Sequence, residues 1–446
     1  MEGLPQSWRL VPLSEIVDIN PGIDKSQLRD HDEVAFVPMP AVDAESGRID
    51  VTERRQFGEV KSGFTPFATG DVLFAKITPC MENGKMAVVP SLPRGVGFGT
   101  TEFHVLRSTG AVNEKLVYYF VSSASIRHEA QHQMTGAVGQ KRVPRRYLET
   151  KPFPLPPLNE QRRIVEKIET LFARIEKGEE ALRDVQKLLA RYRQSVLKAA
   201  VTGQLTDTGP ATWKPATLGD LLEDIRYGTA KKCRPDVGGV AVLRIPNVAN
   251  GEIDLQDLKY TKLDDREVRT LGLRKGDLLI VRSNGSANLV GRGAVVNDDA
   301  VGLAFAGYLI RLRVDQRRLL PDFLQLVLSS PVMRARIERQ ARSTSGVHNI
   351  NSGEIKAIAF ELPPLDVQAE IIELVDEQMS KIRDLDSWCQ TELTRSAALR
   401  QSILKDAFGG RLVPQDPADE PAAALLARIR EARAGRTTKS RRRVFA

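Results

Sequence analysis

The chain contains part of its own sequence twice, and this internal repeat constrains the fold more than any other feature. Residues 155–205 align without a gap to residues 362–412, at an offset of 207 positions, and 17 of the 51 aligned residues are identical. Self-similarity of this kind indicates repeated structural units. It predicts a globular domain over 1–154, a repeated segment over 155–205, a second globular domain over 206–361 and the second repeated segment over 362–412.

The repeated segments are predicted to be long helices. Each opens with Leu-Pro-Pro-Leu followed by Asn159 or Asp366, residue types that cap helix N-termini. From Ile164 to Ala199 apolar residues recur at spacings of three and four, a heptad pattern that only Gly178 interrupts. Since one chain carries two such helices of equal length, we expect them to pair as an antiparallel coiled coil. That pairing would relate the two globular domains by a pseudo-two-fold axis.

The globular domains also repeat, but more loosely. Trp8 aligns with Trp213, and the segment TGDVLFAKI of the first domain matches KGDLLIVRS of the second. Short apolar runs alternate with turns rich in Gly, Pro, Asn and Asp, which is typical of strands. Each domain is expected to close with a helix, at about 113–134 and 320–341. These patterns predict α+β (mixed α/β) domains.

Composition limits the cellular setting and the partners. The 446 residues are 41% hydrophobic and 27% charged, and no apolar run approaches the length of a membrane span. Three separated cysteines favour neither disulfides nor a cysteine zinc site, and the N-terminus does not resemble a signal peptide, so a cytoplasmic protein is expected. The net charge is +8, but residues 414–446 hold eight Lys/Arg against four Asp/Glu. Residues 413–446 are expected to form a short helix and a disordered basic tail.

The repeated motifs carry a resemblance to a known family. Two unlike domains, each followed by Leu-Pro-Pro-Leu-x-x-Gln and a long helix ending in Arg-Gln-Ser-x-Leu-Lys-x-Ala, resemble the specificity subunit of type I restriction-modification enzymes over residues 5–412. The resemblance implies that each domain is a target-recognition domain that reads one half of a bipartite, asymmetric site in double-stranded DNA. The two helices would set the spacing between the halves.

The resemblance also implies partners. Two methyltransferase subunits, which methylate adenine, and restriction/translocase subunits would assemble on this chain, and S-adenosylmethionine, ATP and Mg²⁺ would be bound by those partners. The chain itself is expected to be non-catalytic and without a cofactor. It contains neither an Asn/Asp-Pro-Pro-Tyr motif nor a GxxxxGK[ST] loop.

DNA-contacting residues are predicted from side-chain chemistry, because Arg and Lys favour guanine while Asn and Gln favour adenine. In each domain a polar loop follows an apolar strand, and a second polar segment precedes the repeated segment. Solvated turns are the alternative interpretation of both. The predicted DNA contacts are Lys76, Asn83, Lys85, Lys141, Arg142, Arg145 and Arg146 in the first domain, and Arg282, Asn284, Asn288, Arg292, His348 and Asn349 in the second.

A second set of residues recurs within the repeated segments themselves. Recurrence predicts a shared role, which is either helix pairing or docking of the methyltransferase subunits, and the sequence does not choose between them. The recurring pairs are Gln161 with Gln368, Arg193 with Arg400, Gln194 with Gln401, and Lys198 with Lys405.

The segment RHEAQH suggests a different function. His128 and His132 lie four residues apart with Glu129 between them, the pattern of a zinc peptidase helix. The aligned residues of the second domain, at 335–339, contain no histidine, and no third metal ligand can be identified, so no metal site is expected. A coiled-coil adaptor without a DNA role is the other alternative, supported by the modest charge of the chain outside its C-terminal extension.

Overall fold

The computed structural model of the protein describes residues 3–137, 139–207, 209–235, 238–344 and 346–431. Residues 432–446, which include the expected disordered basic tail, lie outside the described residues. The chain forms two compact units. The first contains the described residues up to Glu180 and from Glu392 onward, and the second contains Ala181–Thr391.

The first unit contains two four-stranded sheets that pack on each other. Strand Val72–Ala75 is buried on both faces: Leu73 and Ala75 pack with the second sheet, whereas Val72 and Phe74 pack with the helices. Its uninterrupted apolar sequence follows from this double burial. One sheet is antiparallel and has the order Val17–Ile19, Phe103–Ser108, Val72–Ala75, Met86–Val88. The other sheet has the order Arg54–Gln56, Glu33–Val37, Val96–Gly99, Thr65–Ala68. In this second sheet the middle pair is parallel and the two outer pairs are antiparallel.

The second unit repeats this plan. Strand Leu278–Val281 is again buried on both faces, with Leu278 and Ile280 toward the helices and Leu279 and Val281 toward a second sheet. A small third sheet is added at one end. The three sheets have the orders Leu222–Tyr227, Leu309–Val314, Leu278–Val281, Gly293–Val295; then Lys259–Thr261, Val240–Leu243, Ala304–Phe305; and then Ser283–Asn284, Val347–Asn349, Arg342–Thr344.

A buried ion pair fixes the turn before each central strand. Asp71 and Asp277 are each 1% exposed, and they accept two hydrogen bonds of 2.7 Å from Arg107 and Arg313, respectively. The preceding glycines both have φ of +83°, a conformation that favours glycine. The Gly-Asp motif of the sequence is therefore a turn whose carboxylate pairs with a strand arginine.

The helix predicted to close each domain is divided in two. The helices are Glu114–Ser122 and Ala124–His132 in the first unit, and Pro321–Ser329 and Pro331–Gln340 in the second. Ser123 and Ser330 have extended backbones at the breaks, and each hydroxyl donates to a carbonyl three residues earlier. Pro331 disfavours helical geometry in Ser330. Short α-helices are Leu13–Ile16, Phe57–Val60, Arg145–Thr150, Asp265–Leu271 and Ser352–Lys356. Short 3-10 helices are Met39–Ala41, Pro93–Gly95, Pro210–Thr212, Leu218–Leu221, Ile245–Asn247, Ala287–Leu289 and Asp298–Ala300.

Each repeated segment follows a short strand pair. Arg9–Pro12 pairs with Pro152–Leu155, and Lys214–Thr217 pairs with Ala359–Leu362. The first long helix, Leu158–Thr202, and the second long helix, Leu365–Phe408, then begin directly. Both lie inside the predicted repeated segments. None of the helices in the described residues is long and apolar enough to cross a membrane.

The two long helices contact each other and run antiparallel. In the second unit Tyr192 donates to Gln378 (3.2 Å) and Gln186 donates to Asp386 (2.9 Å). Residue numbers therefore increase in opposite directions along the two helices. Both helices also enter the domain cores. The core of the first unit includes Ile164, Val165, Ile168, Ile403, Leu404 and Ala407, and that of the second includes Val196, Leu197, Ala200, Val367, Ile371 and Val375. The division into units therefore falls within the helices.

The predicted heptad seam is buried at its ends and open in its middle. Ile164, Ile168 and Val196 are buried, but Val185 and Tyr192 are 38% and 49% exposed. Two helices alone cover only part of each other's apolar stripe, whereas the ends are covered by the domains. The paired helices predicted from the sequence are confirmed, but a continuously buried seam is not.

Candidate DNA interface

In the first domain the two predicted polar segments lie side by side. The amide of Thr78 donates to the Lys141 carbonyl (3.0 Å), and the amide of Val143 donates to the Lys76 carbonyl (2.8 Å). Residues 76–85 and 139–146 are separated in sequence but form one surface, which we call the first polar edge.

The second domain brings its predicted segments together in the same way. Asn284 lies opposite His348, and Ser283 lies opposite Asn349, in a short antiparallel pair. The amide of Ile350 donates to the Arg282 carbonyl (3.0 Å), which corresponds to the Val143 bond of the first domain. Residues 282–292 and 346–349 form the second polar edge. The two edges are therefore equivalent parts of the repeated fold.

At the first polar edge the predicted residues differ in availability. Asn83, Lys141, Arg145 and Arg146 are exposed, and Lys76 is half-buried. The Lys85 ammonium instead donates to the carbonyls of Met39 and Val42, both at 3.0 Å. Lys85 thus stabilises its own domain, and its contact with DNA stays a prediction.

Arg142 also has a partner within its domain. Its guanidinium donates to both carboxylate oxygens of Glu102, at 2.8 and 2.9 Å, and these bonds hold the pKa of Glu102 below its ordinary value. Arg145 donates to Glu149 (2.7 Å). Glu102 was not predicted as part of the interface, because no local motif connects it with Arg142.

The second polar edge is more aromatic. The Arg282 guanidinium lies over the Tyr227 ring, 4.6 Å from its centroid. Tyr308 is 65% exposed, and its carbonyl accepts a hydrogen bond from the amide of Arg282 (2.8 Å). Sequence reasoning missed both tyrosines. Tyr308 could have been found from its alignment with Glu102, because each of these residues directly precedes a strand beside the polar loop.

The other predicted residues of the second polar edge are placed by local bonds. Asn284 accepts from the amide of Ser286 (2.9 Å), which shapes the loop. Asn288 and Arg292 are exposed, and Arg292 donates to the Asn288 carbonyl (2.8 Å). His348 and Asn349 are half-buried, and each side chain contacts a backbone carbonyl at 3.4 Å. Their contact with DNA stays a prediction.

The recurring glutamines are buried at the starts of the two long helices. Gln161 and Gln368 are both 0% exposed. Gln161 accepts from the amide of Asn113 (2.8 Å) and donates to the carbonyls of Ala111 and Pro156 (both 3.0 Å). Gln368 makes the same three bonds in the second unit. Both side chains are therefore bonded within their own units, which favours a structural role, and their contact with a methyltransferase subunit stays a prediction.

The recurring residues at the helix ends divide into two groups. Arg400 lies over the Phe172 ring and donates to Glu179 (3.1 Å), and Gln401 accepts from the amide of Ala124 (2.8 Å). Arg400 therefore helps to pair the two long helices, and Gln401 caps the helix Ala124–His132. The exposed ones are Arg193, Gln194, Lys198 and Lys405, for which docking stays a prediction.

The RHEAQH segment lies on an exposed helix. The rings of His128 and His132 stand 4.5 Å apart, centroid to centroid, and His132 contacts the carbonyl of His128 through Nδ1 (2.8 Å). Glu129 is paired with Lys151. No group of three His, Cys, Asp or Glu side chains suited to a metal occurs in the part of the chain that the structure describes. The geometry gives the peptidase alternative no support.

Comparison with known proteins agrees with the repeated architecture. A family model described as the type I restriction modification DNA specificity domain matches residues 5–182. The specificity subunit of type I restriction enzyme StySPI from Salmonella potsdam is 28% identical over 97% of this chain and 96% of the relative. The EcoBI specificity subunit from Escherichia coli is 30% identical over 67% of this chain and 68% of the relative.

A structural comparison extends the match to the fold. A chain from a solved structure, described as the structural basis of complex assembly and conformational transition of the type I R-M system, superposes with a TM-score of 0.75. It is 23% identical and covers 92% of this chain and 100% of the other. The shared architecture is a doubled α+β fold with two paired long helices. The chain belongs to the family of type I restriction enzyme specificity subunits.

Proposed function

We propose that this protein is the DNA-recognition subunit of a type I restriction-modification complex. Each polar edge would read one half of a bipartite site. One observation carries the proposal: the repeated fold builds an edge at equivalent positions in both domains, but the side chains on the two edges differ. Equivalent placement fits a shared task, and different chemistry fits different bases, so the site should be asymmetric.

The partners follow from the family. We propose that two adenine methyltransferase subunits assemble on the chain, with restriction/translocase subunits added, in the cytoplasm. The exposed residues Arg193, Gln194, Lys198 and Lys405 are candidate contacts. S-adenosylmethionine, ATP and Mg²⁺ would be used by those partners, while this chain supplies recognition and no catalytic group.

Methylation mapping tests the proposal. Genomic DNA from cells that express the chain with its cognate methyltransferase subunit should carry methyladenine in a split, asymmetric motif that is lost when the gene is deleted. Asn83→Ala should alter only one half of the motif, and Asn284→Ala only the other. A motif that survives deletion, or a complex that binds no DNA, would favour the adaptor alternative.

A further inference from the structure

The second polar edge holds an arginine whose hydrogen-bonding capacity is unused. Among the described residues Arg282 makes no ion pair, and its Nε atom is buried without a hydrogen-bond partner. The stacking of its guanidinium on Tyr227 fixes the plane of the group without occupying its N–H donors. Nε lies inside the fold, but the two terminal nitrogens make no hydrogen bond to the described residues, so this end of the fork is oriented by the protein and available to a ligand.

The first polar edge provides an internal comparison. There, Glu102 occupies the position equivalent to Tyr308, because the amide of Lys76 donates to the Glu102 carbonyl (2.9 Å) as that of Arg282 does to Tyr308. Glu102 takes up the guanidinium of Arg142. At the second polar edge no carboxylate lies at this position, and a tyrosine that is 65% exposed replaces it. The two edges therefore present different chemistry at matching places.

Resting on the proposed DNA-binding function, we infer that Arg282 and Tyr308 form the base-reading centre of the second domain. Arg282 donates to O6 and N7 of a guanine in the major groove, which is the bidentate contact that its fork fits. Tyr227 is a positioning residue that holds the guanidinium plane. Tyr308 lies directly opposite Arg282 where the strands Leu278–Val281 and Leu309–Val314 end, and packs its ring against the neighbouring base pair.

A selection experiment tests this assignment. The full chain, assembled with its cognate methyltransferase subunits, is mixed with a library of randomised DNA duplexes, and the bound fraction is sequenced. The second half-site should contain a guanine, and Arg282→Lys should lower the preference for it roughly tenfold at that one position, because the flexible Lys ammonium lacks the planar fork that stacks on Tyr227. Tyr308→Ala should weaken binding roughly tenfold and leave the first half-site unchanged.

Conservative variants separate positioning from loss of folding. Tyr227→Phe keeps the ring and should keep the guanine preference, whereas Tyr227→Ala should lose it. Tyr192→Ala removes another exposed tyrosine, from the first long helix, and should leave the selected sequence unchanged. The inference is overturned if Arg282→Lys and Tyr308→Ala both select the wild-type second half-site with wild-type affinity. In that case the proposed function still stands, provided that Asn83→Ala alters the first half-site. If the wild-type complex selects no sequence, both fall.

Discussion

At the scale of single residues, Trp8 and Trp213 occupy equivalent positions in the two units but differ in their polar contacts. Trp8 Nε1 donates to the buried carboxylate of Glu160 (2.9 Å). The residue aligned with Glu160 is Val367, and within the described part of the chain Trp213 Nε1 is buried without a hydrogen-bond partner. The two copies of the repeat therefore share a buried indole ring but differ in its polar contact.

This difference predicts unequal effects of the same substitution. Trp8→Phe removes a hydrogen bond to a buried carboxylate, whereas Trp213→Phe removes a donor that had no acceptor. We expect Trp8→Phe to lower the free energy of unfolding by about 2 kcal/mol more than Trp213→Phe. Urea unfolding followed by circular dichroism measures both, and equal losses would contradict the assignment.

His104 predicts a pH dependence of the first domain. It is 5% exposed, burial lowers its pKa, and it contacts the Val143 carbonyl through Nε2 (2.9 Å) beside the first polar edge. Because the folded domain resists protonation, its stabilisation is complete above the ordinary pKa of 6.5 and is lost as the pH falls through the lowered folded value.

The corresponding measurement is thermal unfolding between pH 7.5 and 5. His104→Gln keeps a donor and an acceptor but does not titrate, so its melting temperature should fall less over this range than that of the wild type. A variant whose profile parallels the wild type would assign the acid sensitivity to other groups.

At the scale of elements, the start of each long helix is fixed by a buried glutamine. Gln161→Leu would leave the Asn113 amide and two carbonyls without partners, and we expect a loss of about 3 kcal/mol in the free energy of unfolding. Gln194→Leu, on the exposed face of the same helix, should change it by less than about 0.5 kcal/mol. If the Gln161→Leu protein has normal stability but fails to bind the methyltransferase subunit, the result would instead support a docking role for Gln161.

Sequence reasoning succeeded where the repeat itself carried the information. The internal repeat locates both long helices at an offset of 207 residues, and the matching Gly-Asp turns and first polar loops at an offset of 206, because these features depend on residues that recur. It could not identify the function of Gln161, the carbonyl partners of Lys85 or the exposure of Tyr308, which depend on residues that are distant in the chain. The helix breaks at Ser123 and Ser330 were not predicted either, because the apolar pattern of each helix continues across the break.

At the scale of the whole molecule, the C-terminal extension makes the two units unequal. Its described part, 413–431, packs on the first unit: Gln415 donates to Glu160, Asp419 accepts from Arg163 (2.7 Å), and Leu425 and Leu426 are buried. The residues aligned with Glu160 and Arg163 in the second copy are Val367 and Glu370, which cannot make these contacts. The extension is therefore specific to the first copy of the repeat.

Ending the chain after Leu412 should consequently destabilise one unit alone. Two leucines and the ion pair with Arg163 are lost, and we expect the first unit to lose about 3 kcal/mol. Hydrogen exchange should show faster exchange at residues 160–168 and unchanged exchange at 367–375, which form the equivalent turn of the second long helix. The double variant Leu425→Ala/Leu426→Ala keeps the chain length and should reproduce part of the effect. Equal changes in both helices would mean that the extension stabilises the molecule without regard to the copy it contacts.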